Sequence, residues 1–213
     1  MPPARPTPAA PRRIRGLTAD ERREQRRRAL LDAALELFAA RGFGEVSIEQ
    51  LCQAAYVSTK SFYELFDGRE ACYLALMGEV TAEAQAEMAS ALAGAPDDEE
   101  AGSRRLLEAF ARAFAADPRR AEVLFGQGSA TSPTVERQRR TNRRWAAAFV
   151  SEIWRRYHPQ GELPPGVATG LIGGLFDIVA DWVLDLDPDD EQGATALLAR
   201  LTAFYGAVRA GLA

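Results

Sequence analysis

Signals for the start of a helix recur through the first third of the chain. When Ser, Thr or Asp is followed three residues later by Glu or Gln, the first side chain accepts a hydrogen bond from the N3 backbone N–H, and the second reaches back to the N-cap. This pair occurs three times, at Thr18 with Glu21, Ser47 with Gln50, and Asp67 with Glu70. Ser58 is a further candidate N-cap. We therefore predict a long helix, two short helices and then a second long helix.

The remaining sequence is also typical of helices. Ala, Leu, Glu and Arg dominate one segment after another, and sustained alternation of apolar and polar residues is nearly absent. Pro and Gly mark the breaks. The predicted helices from the second short one onward are 59–66, 70–93, 98–116, 119–125, 133–158, 164–184 and 189–212. The expected fold class is all-α.

Length and composition limit the class of protein. With 213 residues, 47% of them hydrophobic, the chain is long enough to bury a real core. No apolar run reaches the length of a membrane span, so no membrane partner is expected. The Pro-rich and Arg-rich opening lacks the apolar segment of a secretory signal and predicts a disordered basic arm over residues 1–17. A cytoplasmic protein with reduced thiols is the simplest interpretation.

The sequence offers little support for an enzyme. One histidine, His158, and two separated cysteines, Cys52 and Cys72, do not suit a zinc site. No nucleophile motif or phosphate-binding loop is present. We therefore expect neither catalysis, nor a bound metal, nor a cofactor.

Charge is unevenly distributed along the chain. Residues 1–72 contain 12 Lys and Arg against 10 Asp and Glu, whereas residues 73–213 contain 14 against 20. The overall charge of −4 argues weakly against a nucleic-acid partner, but binding to phosphates depends on local clustering of positive charge. The basic N-terminal part and the acidic remainder therefore suggest different functions.

The two short helices around "AYVS" predict a helix-turn-helix, in which the second short helix enters the major groove of DNA. Phe62 and Phe66 are four residues apart and are expected to face inward. The outward positions of this helix are Thr59, Lys60, Tyr63 and Glu64. Lys60 is the single lysine of the chain. A plain three-helix packing module with a solvated face is the alternative.

The stretch "GFGEVSIEQLCQAAYVSTKSFYELFDGREACYLAL" is similar in order, spacing and residue type to the N-terminal domain of the TetR family of transcriptional regulators. The resemblance covers residues 20–76, and "VSTKSFY" followed by "F" and then by "RE" is its strongest part. The rest of the chain resembles the family only in length and helicity. Tyr56 occupies the turn position where the family usually has Gly. Either Tyr56 adopts a strained backbone or the turn is altered.

The resemblance implies DNA contacts from residues of this region, and their chemistry agrees. The expected DNA-binding residues are Ser47, Thr59, Lys60, Ser61, Tyr63, Glu64 and Arg69. Lys60 is expected to reach a guanine edge or a phosphate, while Thr59 and Ser61 bind a phosphate or read a base. Ser47, Tyr63 and Arg69 are expected to bind phosphates.

Two predicted DNA contacts have alternatives. Glu64 either accepts from a cytosine amino group or pairs with Lys60, and the pair is slightly favoured. The arginines of the N-terminal arm either reach the minor groove or remain a solvated tail.

The larger C-terminal part is expected to bind a small molecule and to form a dimer. Its candidate ligand-binding residues are Phe110, Phe114, Phe125, Trp145, Phe149, Phe176 and Asp177, with Asp181 as a second possible polar contact. Gly166, Gly170 and Gly174 are four residues apart in a segment where, by resemblance to the family, the last two helices pair with those of a second copy.

Together these features divide the chain into a basic arm (1–17), a helix-turn-helix DNA-binding domain (18–68) and a helical ligand-binding and dimerisation domain (69–213). The expected function is that of a transcriptional regulator, a repressor by resemblance. It binds a palindromic operator in double-stranded DNA as a homodimer and is released by a small, largely apolar effector. The alternative is a helical small-molecule-binding protein, or an enzyme, whose N-terminal module does not bind DNA.

Overall fold

A computed structural model of the protein describes residues 18–126, 132–185 and 193–212. These residues form nine α-helices and no β-strand, which confirms the all-α prediction. The helices are α1 (Ala19–Arg41), α2 (Ile48–Ala54), α3 (Thr59–Tyr63), α4 (Arg69–Ala93), α5 (Glu99–Ala115), α6 (Pro118–Phe125), α7 (Pro133–Tyr157), α8 (Val167–Leu184) and α9 (Gly193–Ala210). The predicted N-terminal arm lies outside the described residues.

The first two predicted capping pairs are confirmed. Thr18 Oγ1 accepts from the backbone N–H of Glu21 at 3.2 Å, and Thr18 N–H donates to the Glu21 carboxylate at 2.6 Å. Ser47 and Gln50 form the same reciprocal pair at the start of α2. Each pair gives an acceptor to two backbone N–H groups that otherwise lack a partner at the start of the helix.

The third predicted capping pair is wrong. α4 begins at Arg69 with Gly68 as its N-cap, and no side chain caps it. Gly68 has φ +151°, a backbone conformation that favours glycine. The helix therefore starts one residue later than the Asp67 cap requires, and the Asp67 side chain is displaced from the N3 backbone N–H.

Two other helix ends differ from the prediction by three residues. α3 ends at Tyr63 instead of residue 66, and Glu64 is its C-cap. α8 begins at Val167 instead of residue 164, after Gly166 in the left-handed conformation with φ +87°. The start predicted for the last helix, residue 189, lies outside the described residues.

The described residues bury one large apolar cluster that runs from the N-terminal helices into the C-terminal ones. α1 packs against α2, α4 and α6, and α2 packs against α3. α4 also packs on α5, while α8 packs on α6, α7 and α9. α4 and α6 therefore contact both the helix-turn-helix and the larger bundle.

Contrary to the expectation from the sequence, α8 is long and apolar enough to cross a membrane by length and composition, and it is the one helix of the described residues that meets this test. It packs against α6, α7 and α9. Its glycines have different surroundings. A Cβ added to Gly174 would lie 2.3 Å from the Phe204 ring of α9, whereas one added to Gly170 meets nothing within 4 Å. Only Gly174 therefore brings two helices of the same chain together.

Candidate DNA-binding surface and ligand cavity

The short helix α3 is held by its inward aromatic residues and presents its polar residues to solvent. Phe62 and Phe66 are buried, and their ring centroids are 5.5 Å apart. Ser58 caps the helix by accepting from the Ser61 N–H at 3.2 Å. Tyr63 stands edge-on to Phe62 and is 60% exposed. The predicted inward and outward faces of α3 are both confirmed.

The outward residues of α3 are available to a partner. Thr59, Lys60 and Glu64 are exposed. Within the part of the chain that the structure describes, Lys60 and Glu64 do not form the ion pair that was slightly favoured from the sequence. α3 ends before Glu64, whose backbone carbonyl instead accepts from Arg23 of α1 at 3.1 Å. The ammonium group of Lys60 is therefore not neutralised by its helical neighbour.

The turn between α2 and α3 adopts a strained backbone at Tyr56. Its φ is +54°. Among the described residues, it is the only one other than glycine with a positive φ. The side chain is 97% exposed. The turn therefore keeps the left-handed geometry that glycine would adopt at lower cost, with an exposed aromatic ring shortly before α3.

Arg69 is bound within the protein. Its guanidinium donates to the carbonyl of Val46 at 2.7 Å and to that of Gly44 at 3.3 Å, and lies 4.4 Å over the Phe43 ring. These contacts attach the start of α4 to the loop that precedes α2. Arg69 therefore positions the N-terminus of α2, and its phosphate contact stays a prediction.

The N-terminus of α2 combines a hydroxyl with an acidic side chain. Ser47 Oγ accepts from the Gln50 N–H at 3.2 Å, and its single O–H donor is directed to the Glu49 carboxylate. Glu49 lies in the same turn, and its pKa is lowered by hydrogen bonds from its own backbone N–H and then from Ser47. A phosphate bound by Ser47 would lie beside this carboxylate, so this contact also stays a prediction.

The C-terminal helices enclose an apolar cavity of about 160 Å³. Six of the seven predicted ligand-binding residues line it: Phe110, Phe114, Phe125, Trp145, Phe149 and Phe176. The first three and Phe176 form a continuous aromatic cluster, with neighbouring ring centroids 4.8–6.2 Å apart. Trp145 stacks on Phe149 and is 39% exposed. One wall of the cavity therefore reaches solvent.

Asp177 and Asp181 are exposed and do not line this cavity. Consecutive helical residues point about 100° apart, so Phe176 faces the cavity while Asp177 faces away. The polar groups of the lining lie elsewhere. Asn142 donates to Thr81 at 3.0 Å, and the Ser103 and Tyr205 hydroxyls are 2.9 Å apart. Both pairs join residues that are far apart in sequence, and nothing in the local pattern marked them.

Three helix ends meet in a charged cluster beside Ser103. The Glu99 carboxylate at the start of α5 accepts two hydrogen bonds from Arg209 of α9, at 2.6 and 2.9 Å, and His158 after α7 lies 3.0 Å from it. The bonds from Arg209 are the main cause that lowers the Glu99 pKa to about 2. Glu99 and Arg209 both line the cavity as a neutral ion pair.

A series of contacts joins the cavity region to the helix-turn-helix domain. The buried hydroxyl of Tyr73 in α4 donates to the carbonyl of Val123 in α6 at 2.7 Å. Leu124 and Phe125, the next two residues of α6, line the cavity. The Tyr73 ring centroid lies 5.1 Å from those of both Phe38 and Phe43. The Phe43 ring in turn stacks under the Arg69 guanidinium. A chain of contacts therefore leads from the cavity to the loop before α2.

Residues 30–76, which include α2, α3 and the start of α4, match the sequence profile of bacterial regulatory proteins of the tetR family. The HTH-type transcriptional regulator EthR of Mycolicibacterium smegmatis is 30% identical over 95 residues. These are 45% of this chain, and the match spans only 44% of EthR.

Solved structures extend the likeness to most of the chain at the level of the fold. The fatty acid degradation regulator FadR from Bacillus halodurans aligns with a TM-score of 0.72 at 19% identity, over 86% of this chain and 96% of that one. A putative TetR-family regulator from Syntrophomonas wolfei aligns with a TM-score of 0.69 at 14% identity, over 87% and 95%. The N-terminal third of the chain is therefore similar to the tetR family of bacterial regulatory proteins, and most of the chain shares the fold of these solved regulators.

Proposed function

We propose that this protein is a dimeric DNA-binding repressor that is released from a palindromic operator when a small, largely apolar effector enters the C-terminal cavity. In this proposal residues 18–68 bind DNA, residues 69–213 bind the effector and form the dimer, and the protein acts in the cytoplasm. The matching family consists of regulatory proteins, and we assign no catalytic step to this chain.

The proposed DNA contacts centre on α3. Lys60 has no ion-pair partner among the described residues, and Tyr63 is exposed beside it. A compact cation at the start of a recognition helix suits a guanine edge or a phosphate, and a phenol suits a phosphate. The other residues of the proposed surface are Ser47, Thr59, Ser61, Glu64 and Arg69. Arg69 also holds the loop before α2 through the Gly44 and Val46 carbonyls.

The short length of α3 supports a dimer. α3 has only five residues, so one copy contacts a half-site and two copies are needed for a palindrome. We place the dimer contact on the outer faces of α8 and α9. Added Cβ atoms at Gly170, Gly173 and Gly206 meet nothing within 4 Å, and Ala199 and Ala203 are exposed nearby in sequence. Small side chains let helices of two copies approach closely.

Release of DNA requires the effector to favour one arrangement of the helices over another. One contact supports this step above all others: the bond between Tyr73 of α4 and the Val123 carbonyl of α6, one residue away from the cavity lining. A ligand that displaces Leu124 or Phe125 would shift this carbonyl and, through Tyr73, the aromatic residues that hold Arg69. A differential affinity of about 3 kcal/mol is enough to change DNA occupancy markedly.

The DNA-binding part is tested by selecting bound sequences from a random duplex pool with the full-length protein. We expect an enriched palindrome whose half-sites lie about one helical turn or more apart. The combined variant Lys60→Ala, Tyr63→Phe should then lose at least about tenfold in affinity for that duplex, since both contacts lie at the proposed interface.

Arg144→Ala is the matched control, because it removes one exposed positive charge from α7 and should leave the affinity nearly unchanged. Equal affinities of the wild type and the Lys60, Tyr63 variant would show that α3 is not the reading helix. The absence of any enriched sequence would contradict operator binding itself.

A further inference from the structure

The cavity contains an unusual polar feature, a pair of hydroxyls in an apolar wall. Among the Ser, Thr, Asn, Gln and charged side chains of the described residues, Ser103 alone is buried, with 7% of its surface exposed. Its Oγ lies 2.9 Å from the Tyr205 hydroxyl, and both residues line the cavity. A polar group this deeply buried is normally fully hydrogen-bonded.

The pair is not fully hydrogen-bonded by the residues that the structure describes. Each hydroxyl carries one O–H donor, and the bond between the two oxygens uses only one of these protons. Neither hydroxyl has another hydrogen-bond partner in residues 18–126, 132–185 and 193–212. One O–H donor is therefore left without an acceptor, at a position where both side chains line the cavity.

The charges beside this donor are already balanced. Arg209, the cation of the cavity lining, donates two hydrogen bonds to the Glu99 carboxylate. Its charge is therefore already balanced within the chain. A second carboxylate would face Glu99 without a free cation, and an ammonium group would lose its hydration in a lining that is mostly apolar. A neutral oxygen acceptor meets neither penalty.

We propose that the Ser103 and Tyr205 hydroxyls form the recognition point for the effector, and that the effector is a neutral, largely apolar molecule with a hydrogen-bond-accepting oxygen such as a carbonyl. This inference rests on the proposed effector function of the cavity. The body of the ligand packs against the aromatic residues, and its oxygen accepts the remaining proton of the hydroxyl pair.

The test measures binding of three probes of similar chain length to the full-length protein by titration calorimetry: methyl octyl ketone, decanoate and decylammonium. We expect the ketone to bind at least about tenfold more tightly than either ion, because a charged group pays a desolvation penalty in this wall. Ser103→Ala and Tyr205→Phe should each weaken ketone binding about fivefold, the effect of one net hydrogen bond.

Ser151→Ala is the control, since Ser151 lies on α7, donates to the Ala147 carbonyl at 3.0 Å and does not line the cavity. It should leave ketone affinity unchanged. Decanoate or decylammonium binding as tightly as the ketone, unchanged ketone affinity in both hydroxyl variants, or no ketone binding would each overturn the inference. Ketone binding with the expected preference but without any change in DNA affinity would support the inference and contradict only the proposed release mechanism.

Discussion

Among single residues, Tyr56 combines a conformational cost with full exposure. An L-residue in the left-handed region is strained by about 1–2 kcal/mol relative to its preferred conformations. The ring of Tyr56 is almost entirely exposed, so burial of the side chain does not offset this strain. The conformation instead follows from the tight turn that α2 and α3 require in order to pack on each other.

Replacing Tyr56 with Gly is therefore expected to stabilise the protein. We predict an increase of about 1 kcal/mol in the free energy of unfolding, after the larger entropy of Gly in the unfolded chain is taken into account. Urea unfolding followed by circular dichroism measures it. Tyr63→Gly is the matched control: it places Gly inside α3 and should lower the stability by a similar amount. A loss of stability in Tyr56→Gly would mean that the exposed ring contributes more than the backbone strain costs.

Among the helices, α5, α7 and α9 are joined at one end through Glu99. The pKa of Glu99 in the folded protein is lowered to about 2 from an ordinary value of 4.5. The ionised carboxylate therefore stabilises the folded state relative to the unfolded chain. This contribution is fully present above pH 4.5 and is lost as the pH falls towards 2. Acid should therefore loosen the contact between the start of α5 and the end of α9.

Glu99→Gln should flatten the dependence of the unfolding free energy on pH between 4.5 and 2, because Gln does not titrate. Unfolding by urea at a series of pH values measures the slope. Glu100→Gln provides the comparison, since the adjacent Glu100 is exposed and accepts a hydrogen bond from Arg104 one turn away. Identical slopes in the wild type and the Glu99 variant would contradict the assigned role of the Arg209 contact.

The contact between α4 and α6 should determine how strongly ligand and DNA affect each other. Tyr73→Phe removes the hydroxyl that bonds the Val123 carbonyl and keeps the ring that packs on Phe38 and Phe43. We predict that the effect of methyl octyl ketone on DNA affinity decreases by about 1 kcal/mol, roughly fivefold. Fluorescence anisotropy of a labelled duplex, with and without the ketone, measures it.

Thr141→Val is the control for this experiment. The Thr141 hydroxyl also donates to a backbone carbonyl, that of Arg137 at 3.0 Å, but Thr141 is exposed on α7 and does not line the cavity. It should leave the ketone effect on DNA unchanged. An equal loss in both variants would indicate general loosening of the bundle instead of transmission through α6.

The parts of this architecture that sequence predicted are those set by neighbouring residues. The caps at Thr18, Ser47 and Ser58 depend on residues three positions away, so local pattern was enough. The Asp67 cap failed because the backbone of Gly68 governs the entry to α4.

The polar lining of the cavity could not be predicted in this way. Ser103 and Tyr205 are 102 residues apart, and Glu99 and Arg209 are 110 apart. Only the packing of α5 on α9 brings these side chains together. The aromatic lining was predictable because large apolar residues on several helices must meet somewhere, whereas a single Ser on a helix gives no such signal.

In the whole molecule, the outer faces of α8 and α9 are the proposed contact between two copies. Gly206→Arg places a long charged side chain on this face, where an added Cβ meets nothing within the chain. We predict that the variant is a folded monomer by light scattering and binds the palindromic duplex at least about tenfold more weakly, because a single copy contacts one half-site.

Ala148→Arg, a similar charged substitution at an exposed position of α7, should remain a dimer. A monomeric wild-type protein at micromolar concentration, or a dimeric Gly206→Arg variant, would contradict this placement of the interface.

The positions of the three tryptophans should allow the intrinsic fluorescence of the protein to report ligand binding. Trp145 and Trp154 line the cavity, whereas Trp182 is buried outside its lining with its indole N–H donating to the Gly193 carbonyl at 2.9 Å. A ligand that displaces water from the cavity should shift the emission of the first two to shorter wavelengths and leave that of the third unchanged. Light emitted by the unlabelled protein would then report occupancy of the cavity directly, with a constant internal reference.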